Sequence, residues 1–371
     1  MLAVLSGGGT AGHINPALAL AEELSDRGWE VRFAGTPGGV EARLVPAAGI
    51  PFQAFEASGF DRAHPLSLPR GVAKIAASTA KARAWFREIE PDVVVGFGGY
   101  VSIPVARAAE KAGIPVVLHE QNSVMGMANK YLAKKAAAVC LTYEHSARDL
   151  PAGAPVHLTG NPVRRQVIEA DRAEGRAMLG AGEGDLVLLV FGGSLGARHI
   201  NEGLVALKED LLARPNLRIV HITGPKELDA VREALALTDD EAARWQLLGY
   251  QDRMGETMAA ADAIVSRAGA TSLAEISARA IPALLVPFPY ATEDHQTTNA
   301  RAYVDAGCAL MVPDAEVGGD AFARALFSLI DDADVRAAQT AAARARKTVQ
   351  AAALLADVVE GAATGAPGAV Q

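Results

Sequence analysis

The sequence predicts an α/β protein made of two doubly wound domains in tandem. Three observations carry this: apolar runs alternate with helically spaced stretches, a glycine-rich turn occurs twice, and the chain is long enough for two cores. Such alternation is the pattern of a parallel sheet with helices on both faces. The turns read GGTAGHIN (Gly8 to Asn15) and GGSLGARHIN (Gly192 to Asn201). With 371 residues, 50% of them hydrophobic, the chain exceeds one ordinary core, since domains commonly hold about 100 to 200 residues.

The elements follow in order. LAVLS reads as a first strand, leads through the first turn, and gives way to PALALAEELSDRG, apolar at helical spacing; WEVRFAGT is the next strand. DVVVGF, VARAAEKAG and IPVVLHE then read as strand, helix and strand. LVLLVF, LRIVHITG, DAIVSRAG and IPALLVPFP repeat the scheme in the second half. The likeness extends beyond the turns: DVVVGFGGYVS, a helix and GIPVVLHEQN parallel DAIVSRAGATS, a helix and AIPALLVPFPY.

These runs place one domain at 1–161 and a second at 162–342, joined within GNPVRRQV (Gly160 to Val167). The Ala-rich stretch from Asp334 to about Glu360 reads as helix, and its C-terminal part, about 343–362, can pack back on the first domain. Residues 363–371, within GAATGAPGAVQ, read as a flexible tail. Two such domains face each other across a cleft, and ligands of open α/β sheets bind beyond the carboxyl ends of the strands.

Composition excludes several classes. A net charge of −8 argues against a nucleic-acid groove spread over the surface. Cys140 and Cys308 stand in apolar segments without CxxC or Cys/His spacing, which fits a reducing compartment and small buried residues rather than zinc. No apolar run approaches the roughly 18 residues that span a bilayer, and no basic lead-in precedes the first strand. The expectation is a soluble, cytoplasmic protein.

Glycine suits a strand-to-helix turn because it accepts positive φ and lets a ligand approach the backbone. The free N–H groups and dipole of the following helix then seat phosphate or another electron-rich group. Plain strand-to-helix packing uses the same residues. Gly7, Gly9 and Gly12 formally satisfy the dinucleotide pattern G-x-G-x-x-G. That pattern also needs an acidic residue at the end of the second strand, where Ala34, Gly35 and Thr36 stand instead. No GK[ST] follows either turn, which excludes a P-loop.

In this order GGGTAGHINPALALA, GFGGYVS, HEQN, GNPVR, FGGSLGAR, SRAGATSLAEI and DHQTTNA closely resemble the MurG family of N-acetylglucosaminyltransferases, over nearly the whole chain. The resemblance implies the GT-B glycosyltransferase fold, two Rossmann-like domains facing across a cleft. It implies UDP-N-acetylglucosamine on the C-terminal domain and a muramoyl-peptide lipid diphosphate on the N-terminal domain. Each glycine turn then attends one diphosphate. The implied reaction is inverting and needs neither metal nor cofactor: a hydroxyl, deprotonated by a base, displaces UDP from the anomeric carbon.

On the donor side, Gly193 and Ser194 sit where a diphosphate meets a helix start, although Ser194 also reads as an N-cap. Arg164 stands at the domain junction, either solvated or holding the leaving diphosphate through charge-assisted hydrogen bonds. Glu275 completes a textual capping box, Ser272-x-x-Glu275, while the resemblance puts it on the uridine ribose. Arg267 follows a strand end and matches the family, with a structural role equally open. Gln296 and Asn299 offer amides to sugar hydroxyls, and the resemblance aims DHQTTNA at the N-acetylglucosamine ring. Thr297 and Thr298 stand where that family often has aromatics. The resemblance implies that the uracil meets the backbone near Tyr250 and Gln251.

On the acceptor side, His13 follows the first turn and has the chemistry of a general base, or else positions the acceptor. Glu120 is the alternative base. Thr10, Gly12, Tyr100, Ser102 and Asn122 line the same strand ends. The only Asp-x-Asp spacing, Asp332 to Asp334, reads as dipole complement at a helix start rather than a metal site.

A lipid-borne acceptor implies contact with an anionic inner membrane surface at its cytoplasmic face, without a span. RGVAKIAASTAKARAWFRE (Arg70 to Glu88) sets Val72, Ile75, Trp85 and Phe86 beside Arg70, Lys74, Lys81, Arg83 and Arg87. Either this helix meets the membrane or its apolar side packs on the domain. The competing functions are a UDP-N-acetylglucosamine 2-epimerase, another lipid glycosyltransferase of the same fold, and a non-catalytic nucleotide-sugar sensor.

Overall fold

The computed structural model describes residues 1–57, 68–193 and 197–365, without the side chains of 68–72 and 292. The chain divides into Met1–Arg164 with the segment from Val349 onward, and Arg165–Thr348.

The first unit is a parallel sheet of seven strands: β1 (Leu2–Ser6), β2 (Glu30–Gly35), β3 (Phe52–Ala54), β4 (Val93–Gly96), β5 (Val116–Glu120), β6 (Ala138–Leu141) and β7 (Val156–Leu158). Their order is β3-β2-β1-β4-β5-β6-β7. Near-continuous Val, Leu and Ala suit strands covered on both faces, and all five residues of β1 are buried. Leu5 pairs with Phe33 on one side and Val95 on the other, so β1 is central.

The second unit repeats the plan with six parallel strands: β8 (Leu186–Phe191), β9 (Leu217–Ile222), β10 (Trp245–Leu248), β11 (Ala263–Ser266), β12 (Ala283–Leu285) and β13 (Ala309–Met311). Their order is β10-β9-β8-β11-β12-β13. In both units the winding reverses beside the first strand, between β1 and β4 and between β8 and β11. Loops leaving such a pair diverge to opposite faces and open a crevice at the carboxyl ends.

The Ala-rich C-terminal stretch corrects the expectation of one helix. It forms Ala333–Ala345 and Ala351–Thr364, broken where Lys347 adopts a left-handed φ of 52°. The two pieces serve different cores: Ala343 is buried in the second unit, while Leu355, Ala356, Val358 and Val359 are buried in the first. Arg27 fastens the last helix, donating to Asp357 Oδ1 at 2.7 Å and Glu360 Oε2 at 3.0 Å. Trp29 Nε1 reaches Glu360 Oε1 at 3.2 Å. Residues 363 and 364, expected in the tail, belong to this helix, and Ala363 packs on its core. The remainder, 366–371, lies outside the described residues.

The basic helix is Leu68–Ile89, and its apolar side is largely consumed by packing. Ala82 and Phe86 are in the core, and Trp85 lies 5.6 Å from the Phe55 ring. The side chains of Arg70 and Val72 fall outside the described ones. Among described residues no helix is long and apolar enough to cross a membrane.

Candidate active site

In the first unit the crevice is built from two glycine turns in backbone contact. A Cβ on Gly99 would lie 2.6 Å from the Gly8 carbonyl oxygen, so the turn after β4 can approach the turn after β1 only as glycine. Ser102, fully buried, ties these strand ends by donating to Ser6 O at 3.1 Å and Gly98 O at 2.7 Å. It is therefore internal and does not line the crevice.

His13 lies in the first turn of the helix Ala11–Asp26. Its Nδ1 is 2.8 Å from Gly8 O. A carbonyl only accepts, so a neutral His13 carries its proton on Nδ1 and the lone pair on Nε2. Nε2 rests against Gly98, where a Cβ would come within 3.2 Å. That tautomer is the one a general base requires.

Glu120 is different. It is 3% exposed, and its oxygens accept from Asn122 N (3.1 Å), Asn122 Nδ2 (3.4 Å), Gly126 N (2.9 Å) and Asn129 Nδ2 (2.9 Å). Such a carboxylate organises the loop after β5. Asn122 is half-buried within that loop, Gly12 is half-buried, and Thr10 and Tyr100 are exposed at the same strand ends.

Sequence reading missed Glu41. It is fully buried and accepts from Gly9 N (3.3 Å), Thr36 N (3.0 Å) and Thr36 Oγ1 (2.5 Å). The strand end itself, Ala34 to Thr36, carries no acid, and this one folds back from five residues beyond Thr36. One N–H of the first turn is thus committed to an internal carboxylate.

In the second unit Gly193 has φ 85° and open space where a Cβ would stand. Ser194 lies outside the described residues. The helix Arg198–Ala206 follows, and among the described residues no side chain caps its N-terminus. Glu275 is not part of a capping box: its helix, Ala270–Ala278, begins after Gly269, which leaves Ser272 inside the first turn instead of at the cap. Glu275 is half-buried further along that helix.

Arg267 is 8% exposed, pairs with Asp314, and donates to Val286 O (3.1 Å) and Pro287 O (3.2 Å). Asp314 also meets His199 Nδ1 at 2.5 Å. Arg267 thereby braces strand ends from within. Asn299 is wholly buried and donates to Ala268 O at 3.3 Å, so it holds a loop rather than presenting an amide to solvent. Gln296 Oε1 accepts from Ala268 N (3.1 Å) and Phe288 N (3.0 Å).

Just before the helix His295–Asp305, Glu293 and Asp294 both have positive φ, 54° and 51°. Two successive strained residues of this kind are costly and concentrate at ligand-contacting loops. Gln251 Oε1 accepts from Arg253 N at 3.0 Å, beside exposed Tyr250. Phe288 and Tyr290, an exposed aromatic pair with ring centroids 5.6 Å apart, were not anticipated.

Arg164 stands at the domain junction, where the donor diphosphate or solvent is its expected partner. It lies in the first unit, where its Nε donates to Glu22 Oε1 at 3.1 Å. Asp332 caps the helix Ala333–Ala345, accepting from Asp334 N at 2.9 Å and Val335 N at 3.2 Å.

Two parallel sheets of switch-point topology, each with a glycine turn at its crevice, are the architecture of the GT-B fold, and the family matches make this chain a glycosyltransferase of that class. Residues 3–141 match the glycosyltransferase family 28 N-terminal domain, and 187–355 match the glycosyltransferase family 28 C-terminal domain. The UDP-N-acetylglucosamine–N-acetylmuramyl-(pentapeptide) pyrophosphoryl-undecaprenol N-acetylglucosamine transferase of Halothermothrix orenii is 40% identical over 337 residues, 90% of this chain and 91% of that one. The enzyme of the same name from Leuconostoc mesenteroides is 40% identical over 346 residues, 93% and 94% of the two chains. The crystal structure of Acinetobacter baumannii MurG superposes with a TM-score of 0.75 at 30% identity, covering 97% of this chain and 99% of that one. A Listeria monocytogenes chain described as a UDP-N-acetylglucosamine 2-epimerase shares the fold, with a TM-score of 0.72 at 14% identity over 97% and 96% of the two chains. The chain belongs to the MurG family within glycosyltransferase family 28. It is a hexosyltransferase.

Proposed function

We propose that this enzyme transfers N-acetylglucosamine from UDP-N-acetylglucosamine to the C4 hydroxyl of an N-acetylmuramoyl peptide carried on undecaprenyl diphosphate, the step from lipid I to lipid II in peptidoglycan synthesis. The names of relatives that match over nine-tenths of the chain supply the substrates. The observation that carries the chemistry is the hydrogen bond from His13 Nδ1 to Gly8 O, which leaves Nε2 to accept a proton.

In this reading Nε2 removes the C4 hydroxyl proton as the oxygen attacks the anomeric carbon of the donor. The bond from that carbon to the diphosphate oxygen breaks, and UDP leaves from the opposite face, which inverts the centre. Gly193, at the second glycine turn, and the N-terminus of the helix Arg198–Ala206 receive the growing negative charge. Glu275 accepts from the ribose hydroxyls, and Gln296, by its amide group, faces the sugar. Thr10, Gly12, Tyr100 and Asn122 line the acceptor side.

The acceptor's lipid places the enzyme peripherally on the cytoplasmic membrane face. Lys74, Lys81 and Arg87, exposed on the helix Leu68–Ile89, supply the cationic face for anionic headgroups. The test mixes enzyme, UDP-N-acetylglucosamine and a short-chain muramoyl lipid diphosphate and follows UDP release. Release that requires the acceptor supports transfer; release or epimerisation without it favours the epimerase.

A further inference from the structure

We propose that Glu41 is a positioning residue for the transfer reaction: its buried carboxylate fixes the turn whose Gly8 carbonyl orients His13. The inference rests on the reading of His13 as base. Glu41 opens the helix Glu41–Ala47 and is fully buried. Its carboxylate reaches two separate segments: Oε2 accepts from Gly9 N at 3.3 Å, and Oε1 from Thr36 N at 3.0 Å and Thr36 Oγ1 at 2.5 Å.

The surroundings are built to admit this group. A Cβ on Gly8 would stand 2.6 Å from Glu41 Oε1, one on Gly35 would stand 2.6 Å from its Cγ, and one on Gly39 would overlap the carboxylate. Three glycines thus wrap one acid, and a buried carboxylate in such a sleeve persists only with its hydrogen bonds made. The chain of contacts then runs from Glu41 to Gly9 N, through the peptide linking Gly9 to Gly8, and from Gly8 O to His13 Nδ1 at 2.8 Å. Fixing the turn fixes the tautomer and the direction of Nε2, as an orienting partner does for other histidines. The same bonds occupy the Gly9 amide, so this turn serves the base with a group that would otherwise be free for an anion.

The decisive variant is Glu41→Gln, which keeps the shape but must turn an NH2 toward the amide of either Gly9 or Thr36. Expected is a fall in kcat of about 10- to 100-fold, as for small misplacements of a reacting group. KM for UDP-N-acetylglucosamine and the Kd for UDP should stay within about twofold, because the donor is read as bound by the other unit. Thr36→Val, which deletes one of the three bonds, should lower kcat less and in the same direction, and it decides the matter should Glu41→Gln fail to fold. In a His13→Ala background Glu41→Gln should cost nothing further, since residues acting through one group are non-additive. Folded variants with kcat within twofold of the parent, or losses that multiply with that of His13→Ala, would overturn the proposal. Full activity in His13→Ala alone would instead remove the reading beneath it, and is seen without touching Glu41.

Discussion

The Glu120 carboxylate accepts a 2.9 Å hydrogen bond from the Asn129 side chain, one of four contacts that commit it to the loop after β5. His13, by contrast, is tied among the described residues at Nδ1 alone of its two ring nitrogens, to Gly8 O and more loosely to Thr10 Oγ1 at 3.4 Å. The two acid–base candidates therefore have different fates. His13→Ala should lose about 10²- to 10⁴-fold in kcat with the protein still folded. Glu120→Gln should lower the melting temperature and lose less turnover than His13→Ala does. Acceptor-dependent UDP release measures both, and a Glu120→Gln loss exceeding that of His13→Ala would reverse the assignment.

Gly193→Ala forces a left-handed φ of 85° on a residue with a Cβ, at a cost of about 1 to 2 kcal/mol unless the turn relaxes. Because no atom of the described residues crowds the site, relaxation should distort the turn and weaken UDP binding about tenfold. Titration calorimetry with UDP reads this directly, and an unchanged Kd would remove the second turn from the donor site.

Asp314→Ala strands Arg267 in a nearly closed environment, where both side chains of the pair are under a tenth exposed. Breaking a buried pair from one side costs about 3 to 5 kcal/mol. Urea unfolding should show that loss, together with a raised KM for the donor as the Val286 to Phe288 loop slackens. A loss below about 1 kcal/mol would show that water reaches the arginine.

Leu355→Ala in the last helix should destabilise the first unit by about 2 to 5 kcal/mol, the range for emptying a buried leucine site. Leu355 is 0% exposed in that core. Since the last helix contributes Leu355, Ala356, Val358 and Val359 to the first unit's core, truncation before Ala351 should leave insoluble protein. A soluble, cooperatively folding truncation would contradict the shared core.

Burial holds the His119 and His221 imidazoles neutral, lowering each to about 4. Both folded values lie below the ordinary 6.5, so between them the unfolded chain binds protons that the folded chain does not. Stability is complete above about pH 6.5 and falls as pH drops toward 4, by up to about 3 kcal/mol per histidine. The urea midpoint should therefore fall between about pH 7.5 and pH 5, and fall less in His221→Gln. A midpoint that does not move across that range would mean that water reaches both rings.

Much of this was readable in the sequence, for identifiable reasons. Strand runs such as LAVLS and LVLLVF are buried on both faces, and their composition announces it. The glycine turns are set by local backbone demands, so their places after β1 and β8 could be read directly. The HIN triplets of the two turns behave alike at Ile14 and Ile200, both fully buried as first-turn anchors. The capping box at Ser272 was misleading because the helix started at Ala270, and a pattern of residue types carries no register.

What the sequence determined by itself was the α/β class, the two-fold repetition, the strands and the region of each crevice, because period and turn chemistry act over a few residues. What only the tertiary structure decided was the partners of the polar side chains. Glu41 meets Gly9 across 32 positions, Arg267 meets Asp314 across 47, and Arg164 meets Glu22 across 142. A buried charge takes whatever donor or acceptor the fold brings within 3 Å or so, since leaving it unpaired costs more than any local preference supplies.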